Sequence, residues 1–259
     1  MSWCPNGASS LPWRSLVRGR GLLRDGSVHT TLAFVHTLPG GDRTFSFYRK
    51  PGADIRLEAG ELDRELLKGC RIFHFGTLSL TDEPCRTATR EAVRIAREAG
   101  ALLSFDPNLR EPLWEDLTEA KAWIEWGLGQ CDVLKISDNE LLFMTGEADF
   151  EKGAAILRQR FPNIRLMNVT AGPDGSHCFY RDMHVFVPGF SVHTIETTGA
   201  GDTFCACVLH DVLERGLEGR SQESLAAMLR FANAAAAIVT TRKGALRAMP
   251  TLAEVKALL

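Results

Sequence analysis

Thr197-Thr198-Gly199-Ala200-Gly201-Asp202 stands directly before an apolar run, Thr203 to Leu213, that reads as a helix. Two glycines around one alanine let the backbone turn tightly and approach a ligand closely. A turn that opens a helix aims unpaired N–H groups, and the positive end of the helix dipole, at whatever lies there. Such a place stabilises an anion, including the charge that develops on a phosphoryl group in transfer. Asp202 lies at the same helix start, where a carboxylate can take a proton from a substrate hydroxyl. The same residues also suit a plain glycine turn followed by an acidic helix N-terminus.

Three further segments leave strand-like runs with polar groups in hand. Thr170-Ala171-Gly172-Pro173-Asp174-Gly175 follows a strand ending at Val169 and could pass beneath a nucleotide phosphate, or be a β-turn. Phe105-Asp106-Pro107-Asn108-Leu109-Arg110 leaves a buried strand, the position where open α/β sheets bind ligands. Arg110 suits a phosphate or carboxylate, while Asp-Pro-Asn by itself is an ordinary turn. Ser137-Asp138-Asn139-Glu140 puts an acid at another strand end, either to hold magnesium or its water, or to cap a helix.

Several chemistries are excluded. The chain has no G-x-x-x-x-G-K-[ST] loop and no protein-kinase signature set. Its seven histidines show neither H-E-x-x-H nor a metal spacing, and read as structural or exposed. Its seven cysteines form no C-x-x-C pair, which suits inert buried thiols in a reducing, cytoplasmic compartment. A net charge of −2 argues against nucleic acid or an anionic membrane as partner. No apolar run reaches the roughly 20 residues that cross a bilayer, so a soluble protein is expected.

These sites need elements to position them. Residues 1–24 are basic, free of acids and without period, and read as a disordered tail, a transit peptide or a misread region. Residues 25–55 hold two β-branched and aromatic runs, His29 to Val35 and Thr44 to Arg49, joined by Pro39-Gly40-Gly41-Asp42, which predicts an antiparallel hairpin. Residues 56–259 alternate. Strands are expected at 71–75, 101–105, 133–136 and 164–169, and a second hairpin at 177–186 with its turn near Arg181-Asp182. Helices are expected at 82–99, entered by Thr81 or Asp82, and at 114–128, 138–144, 152–160, 200–215 and 222–241, with a last one from Leu252. The 114–128 helix would carry Trp114, Trp123 and Trp126 together as packing residues. The pattern implies an α/β fold with a parallel sheet between helices.

Taken together, from about Val28 onward, the motifs resemble the ribokinase-like sugar kinases of the PfkB family. His29 to Val35, Phe47-Tyr48-Arg49, Phe73-His74-Phe75-Gly76, Phe105 to Arg110 and Val187-Pro188-Gly189-Phe190 are similar to its fructokinase branch. The resemblance implies a mostly parallel central sheet with a small β lid, and ATP-dependent phosphorylation of a sugar hydroxyl, D-fructose to fructose 6-phosphate. It implies Asp202 as catalytic base and Gly199, Ala200 and Gly201 as anion hole. It assigns the nucleotide to Thr170, Gly172, Gly175, Asn233 and Gly244, the sugar to Tyr48, Arg49, Asn108 and Arg110, and magnesium to Glu140. ATP and Mg²⁺ are then the cofactors, with a monovalent cation such as K⁺ near Asn233 and Gly244. The lid strands could pair in a homodimer. Related kinases of the same fold act on 2-keto-3-deoxygluconate or nucleosides.

Three positions depart from the family pattern. Its N-terminal portion, roughly 60 residues by usual domain lengths, has no counterpart here. That portion carries the first strands, a sugar-binding Asp and a Gly-Gly-x-x-x-Asn segment; Gly40-Gly41 lacks the following Asn. Ser137 stands where the acidic motif usually begins with Asn, and Glu196 where an Asp precedes Thr-Thr-Gly. The first departure leads to the expectation of an impaired kinase, or of a remnant that binds nucleotide alone.

Overall fold

Branched and aromatic side chains favour the pleat in β1 (Leu32–Thr37) and β2 (Arg43–Tyr48), which pair antiparallel with Leu32 opposite Tyr48. The computed structural model describes residues 23–37 and 43–259, so residues 1–22 of the leader and the Pro39–Asp42 turn lie outside the described residues. The hairpin is a sheet of its own, with Leu32, Phe34, Val35 and Tyr48 exposed.

After α1 (Arg64–Lys68) the chain alternates through β3 (Ile72–Gly76), α2 (Cys85–Glu98), β4 (Leu102–Asp106), α3 (Leu117–Leu128) and β5 (Val133–Ser137). It continues with α4 (Asp138–Thr145), α5 (Phe150–Arg160), β6 (Leu166–Thr170), β7 (Gly175–Tyr180) and β8 (Met183–Pro188), then α6 (Ala200–Arg215), α7 (Gln222–Thr240) and α8 (Leu252–Leu258). The strands form one sheet in the order β3-β4-β5-β6-β7-β8. The first four run parallel, joined through helices, while β7 and β8 are antiparallel to their neighbours. The expected parallel sheet is therefore mixed. Its last two connections are too short for a crossover and can only fold straight back. Arg181, in the β7–β8 turn, has φ +49°, as a tight hairpin turn requires.

Period-2 alternation sends the strand side chains into two cores. Phe105, Leu134, Ile136 and Val169 pack with Ile124, Leu128, Leu141 and Leu157 on one face. On the other, Val133, Leu166, Cys178 and Tyr180 meet Phe204, Val208, Val212 and Leu229 of α6 and α7. Each fully buried side chain of this kind is worth about 1.5–3 kcal/mol. The thiols of Cys178, Cys205 and Cys207 are pushed up to about 12 by burial, so they pack rather than react. No helix among the described residues is long and apolar enough to cross a membrane.

Two helix starts differ from expectation. α2 begins at Cys85 behind Pro84, after a 3₁₀ turn over Thr77–Leu80. Asp82 does not cap it; its carboxylate pairs with Lys50 at 2.9 Å. α3 begins at Leu117, entered by Asp116, whose side chain accepts from Thr118 N. Trp114 thus precedes the helix that carries Trp123 and Trp126, and is buried with Leu80 and Ala120.

Candidate active site

Gly199 takes φ +84°, a conformation open to glycine at little cost, and so turns the chain into α6. Ala200 N donates back to Thr197 O at 3.2 Å, and Thr203 N donates to Gly199 O at 2.9 Å. The N–H groups of Gly201 and Asp202, between them, take no backbone acceptor among the described residues. They are the free donors expected of a helix start, and Asp202 is exposed beside them. The preceding segment is pinned to the end of α7, since Ile195 N and Glu196 N both donate to Thr240 O.

Asp202 lines a cavity of about 210 Å³ with His74, Gly76, Thr77, Leu78, Ser79, Asp106 and Asn108. It opens at the C-terminal ends of β3 and β4, against the N-terminus of α6, where an open α/β sheet holds its ligands. Thr77 Oγ1 donates to Pro107 O at 2.6 Å, locking the two strand ends together. Asn108 has φ +45°, which Asn tolerates, and its N–H donates to Asp106 Oδ1 at 3.2 Å. Beneath the floor, Lys135 Nζ lies 3.1 Å from Asp106 Oδ2 and 3.2 Å from Oδ1. Burial, only partly offset by Lys135, pushes Asp106 up to about 6. Burial opposes the Lys135 charge, but Asp106 and Glu140 more than offset it, so its pKa is raised. His74 Nδ1 bonds Ser104 Oγ at 3.0 Å, and desolvation lowers its pKa.

Of the residues expected to meet the sugar, Asn108 is on the cavity wall. Arg110 sits next to it, its guanidinium 5.1 Å above the Phe45 ring, linking the β4 loop to the hairpin. Tyr48 is exposed and stacks on His29 at 4.3 Å. Arg49 is only 6% exposed, and each of its three guanidinium nitrogens has an acceptor. Its Nε donates to Asp54 at 2.8 Å, Nη1 to Thr81 Oγ1 at 2.7 Å and Nη2 to Leu78 O at 2.6 Å. Here it braces the hairpin base against the 3₁₀ turn that walls the cavity. Arg49→Met should cost about 2–3 kcal/mol, because charged hydrogen bonds go and their partners stay. Thermal melting should fall by about 5–10 °C with ATP affinity unchanged. An unchanged melting point with a raised sugar KM would mean that Arg49 contacts substrate instead.

Glu140 is buried, with both carboxylate oxygens engaged. Oε2 accepts from Ser137 N at 2.9 Å, completing a capping box with the Ser137 hydroxyl, and Oε1 accepts from Leu109 N at 2.7 Å. Among the described residues no group of three His, Cys, Asp or Glu side chains could hold a metal ion.

The turns expected at the nucleotide lie along the same sheet edge. Thr170 ends β6, a 3₁₀ turn covers Gly172–Asp174, and Gly175 opens β7. Asn233 of α7 accepts from Ser176 Oγ at 2.8 Å and donates to Val187 O at 3.0 Å and Pro188 O at 3.3 Å. It fixes α7 to the β7–β8 hairpin. Glu196, in place of the shorter Asp, accepts from Gly244 N at 3.1 Å and so holds the loop after α7. Sequence reasoning missed Lys135 and His74. The signal for Lys135 was available, as a charge inside the apolar strand Val133–Ser137.

A mostly parallel sheet, with a glycine turn, free helix-start donors and a carboxylate at its C-terminal edge, defines an α/β enzyme built to receive a phosphoryl group. The model for the pfkB family of carbohydrate kinases matches residues 15–252. A probable fructokinase-2 of Arabidopsis thaliana is 43% identical over 235 residues, 91% of this chain and 71% of that protein. The crystal structure of fructokinase from Xylella fastidiosa with bound ATP has TM-score 0.83 and 33% identity, covering 92% of this chain and 76% of that one. Fructokinase from Vibrio cholerae O395, bound to fructose, ADP and calcium, has TM-score 0.78 and 32% identity, over 90% and 74% respectively. The chain belongs to the pfkB family of carbohydrate kinases.

Proposed function

We propose that this chain is a fructokinase, moving the terminal phosphoryl group of ATP to the 6-hydroxyl of D-fructose. The observation that carries this reading is Asp202 on the cavity wall beside the free N–H groups of the α6 start. The hydroxyl oxygen attacks the terminal phosphorus, the bond to the bridging oxygen breaks, ADP leaves, and the hydroxyl proton passes to Asp202. The helix-start donors receive the charge on the transferring group. The fructokinases named above, with ATP in one and fructose with ADP in another, support both substrates.

Magnesium belongs to the same reading, supplying charge neutralisation on the phosphates. With both Glu140 oxygens on backbone N–H groups, the protein offers no dedicated cage. The ion would be held mainly by nucleotide oxygens and waters, as Mg²⁺ commonly is, with Glu140 reaching it through water. A homodimer through the hairpin also belongs here, supported by the exposed Leu32, Phe34, Val35 and Tyr48.

An acid sugar would call on an arginine fork. Each guanidinium nitrogen of Arg49 already has an acceptor. Arg110 lies over Phe45 with Nη1 donating to Asn108 O and Leu109 O, so neither is held ready for a carboxylate, which favours a neutral sugar. ADP release measured with fructose, 2-keto-3-deoxygluconate and adenosine tests the choice. Fructose should lead in kcat/KM by at least about tenfold, a gap of about 1.4 kcal/mol in transition-state binding. A lead for either rival overturns the fructose assignment.

A further inference from the structure

We infer that Lys135 is a positioning residue for phosphoryl transfer: its ammonium, held by Asp106 beneath the Gly199–Gly201 turn, supplies the positive charge that lets this turn hold the transferring group. The inference rests on the kinase reading above and adds a residue to it.

Three observations carry it. The first is place. Lys135 is 7% exposed and absent from the cavity wall, yet it lies directly under the turn. A Cβ added to Gly201 would come within 3.3 Å of Lys135 Nζ and 3.7 Å of Cε. A side chain at 201 would therefore press on the ammonium where it now sits. The second is register. Ser104 pairs with Val133 and Phe105 with Leu134, which carries Asp106 opposite Lys135 on the face toward α6. The strand Val133–Ser137 is otherwise apolar up to its last residue, so a buried lysine there is costly unless its charge has a use.

The third is charge. Asp106 and Asp202 line the cavity, and Glu140 stands close enough to raise Asp106 together with Asp202. Two of these carboxylates line the cavity that an anionic nucleotide would approach, and Glu140 stands behind it with both oxygens on backbone N–H groups. His74 faces the same group with its pKa lowered, and Cys205 beneath is held as a thiol by burial. Arg110 is turned onto Phe45. Lys135 is then the fixed cation of this cluster. It carries three donors and has Asp106 as its hydrogen-bonded partner. At low local dielectric a cation behind the turn strengthens the N–H donors in front of it without touching substrate.

The test separates a charge role from a merely structural one. Lys135→Met with Asp106→Asn replaces the pair by neutral groups and leaves no buried charge unmatched, so the fold should survive. Lys135→Gln, which keeps a polar donor without the charge, is the second variant, read the same way. Either should lower kcat for fructose by about 30-fold or more, with KM for ATP and fructose within about threefold. Lys135→Arg, which keeps the charge, should recover part of the loss. In calorimetry, affinity for ADP with aluminium fluoride should fall much more than affinity for ADP alone.

Folded variants with kcat within about threefold of wild type overturn the proposal, as does an equal loss of ADP and ADP–aluminium fluoride affinity. A wild-type protein that does not phosphorylate fructose, while the substitutions still weaken ADP–aluminium fluoride far more than ADP, sinks the fructokinase reading and leaves this inference standing.

Discussion

Asp202→Asn should abolish phosphoryl transfer and leave nucleotide binding within a few-fold of wild type. The side chain keeps its shape, and losing its charge at the exposed helix start costs only about 0.3–1 kcal/mol, so the fold should survive. It loses the ability to accept the hydroxyl proton, which is worth about 10²–10⁴-fold in rate. Since no other acid on the wall is free in the same way, the upper end of that range is expected. Asp106 is tied to Lys135, and His74 has one ring nitrogen on Ser104. His74→Gln is the companion variant. It should retain turnover within about tenfold, because the imidazole borders the cavity without being the base. Steady-state rates with fructose, alongside ATP titration calorimetry, check both. Full turnover in Asp202→Asn, or collapse in His74→Gln alone, would move the base from one residue to the other.

Gly175→Ala should be the most damaging small substitution on the nucleotide side. Gly175 has φ +118°, and a Cβ there would lie 2.2 Å from Val187 O and 2.7 Å from Gly189 N. Its backbone faces β8 with no room for a side chain, and a Cβ added to Gly189 would likewise lie 2.2 Å from Pro173 O. The two glycines interlock the turn after β6 with the end of β8. Relieving such a clash requires both segments to move, at about 3–5 kcal/mol when backbone strain and overpacking add. Melting should fall by about 10 °C or more, and ATP affinity should fall with it because the turn itself is displaced. Gly172→Ala is the control. That glycine has φ +52° and open space around it, so only the modest left-handed penalty of about 1 kcal/mol applies. If Gly175→Ala melts within two or three degrees of Gly172→Ala, the interlock carries no weight.

The features legible in the sequence are local. The glycine turn and α6 were legible because a helix start advertises itself in a few consecutive residues. The strands were legible as short apolar runs, and the hairpin as two β-branched runs around a turn. The sheet's change of direction after β6 was also latent, in connections too short to hold a helix. Non-local facts stayed hidden. That Lys135 faces Asp106 depends on the β4–β5 register, which joins segments almost thirty positions apart. Tyr48 and Arg49 read as equals from their adjacency, yet the pleat turns one outward and the other into a buried brace. The entry to α2 was misplaced because Thr81 and Asp82 are good caps, while Pro84 and the pairing of Asp82 with Lys50 decide the outcome.

Glu140 joins two loops with one carboxylate, Ser137 N at the end of β5 and Leu109 N in the loop after β4. One loop follows the strand that carries Lys135; the other carries Asn108 and Arg110. On the function proposed above, the loop after β4 meets the sugar and Glu140 stands behind the magnesium of the nucleotide. Displacing one loop should then alter the other, and the expected result is a coupling free energy between sugar and nucleotide. Reciprocity then sets its terms: whatever factor fructose imposes on the dissociation constant of the nucleotide, the nucleotide imposes the same factor on fructose.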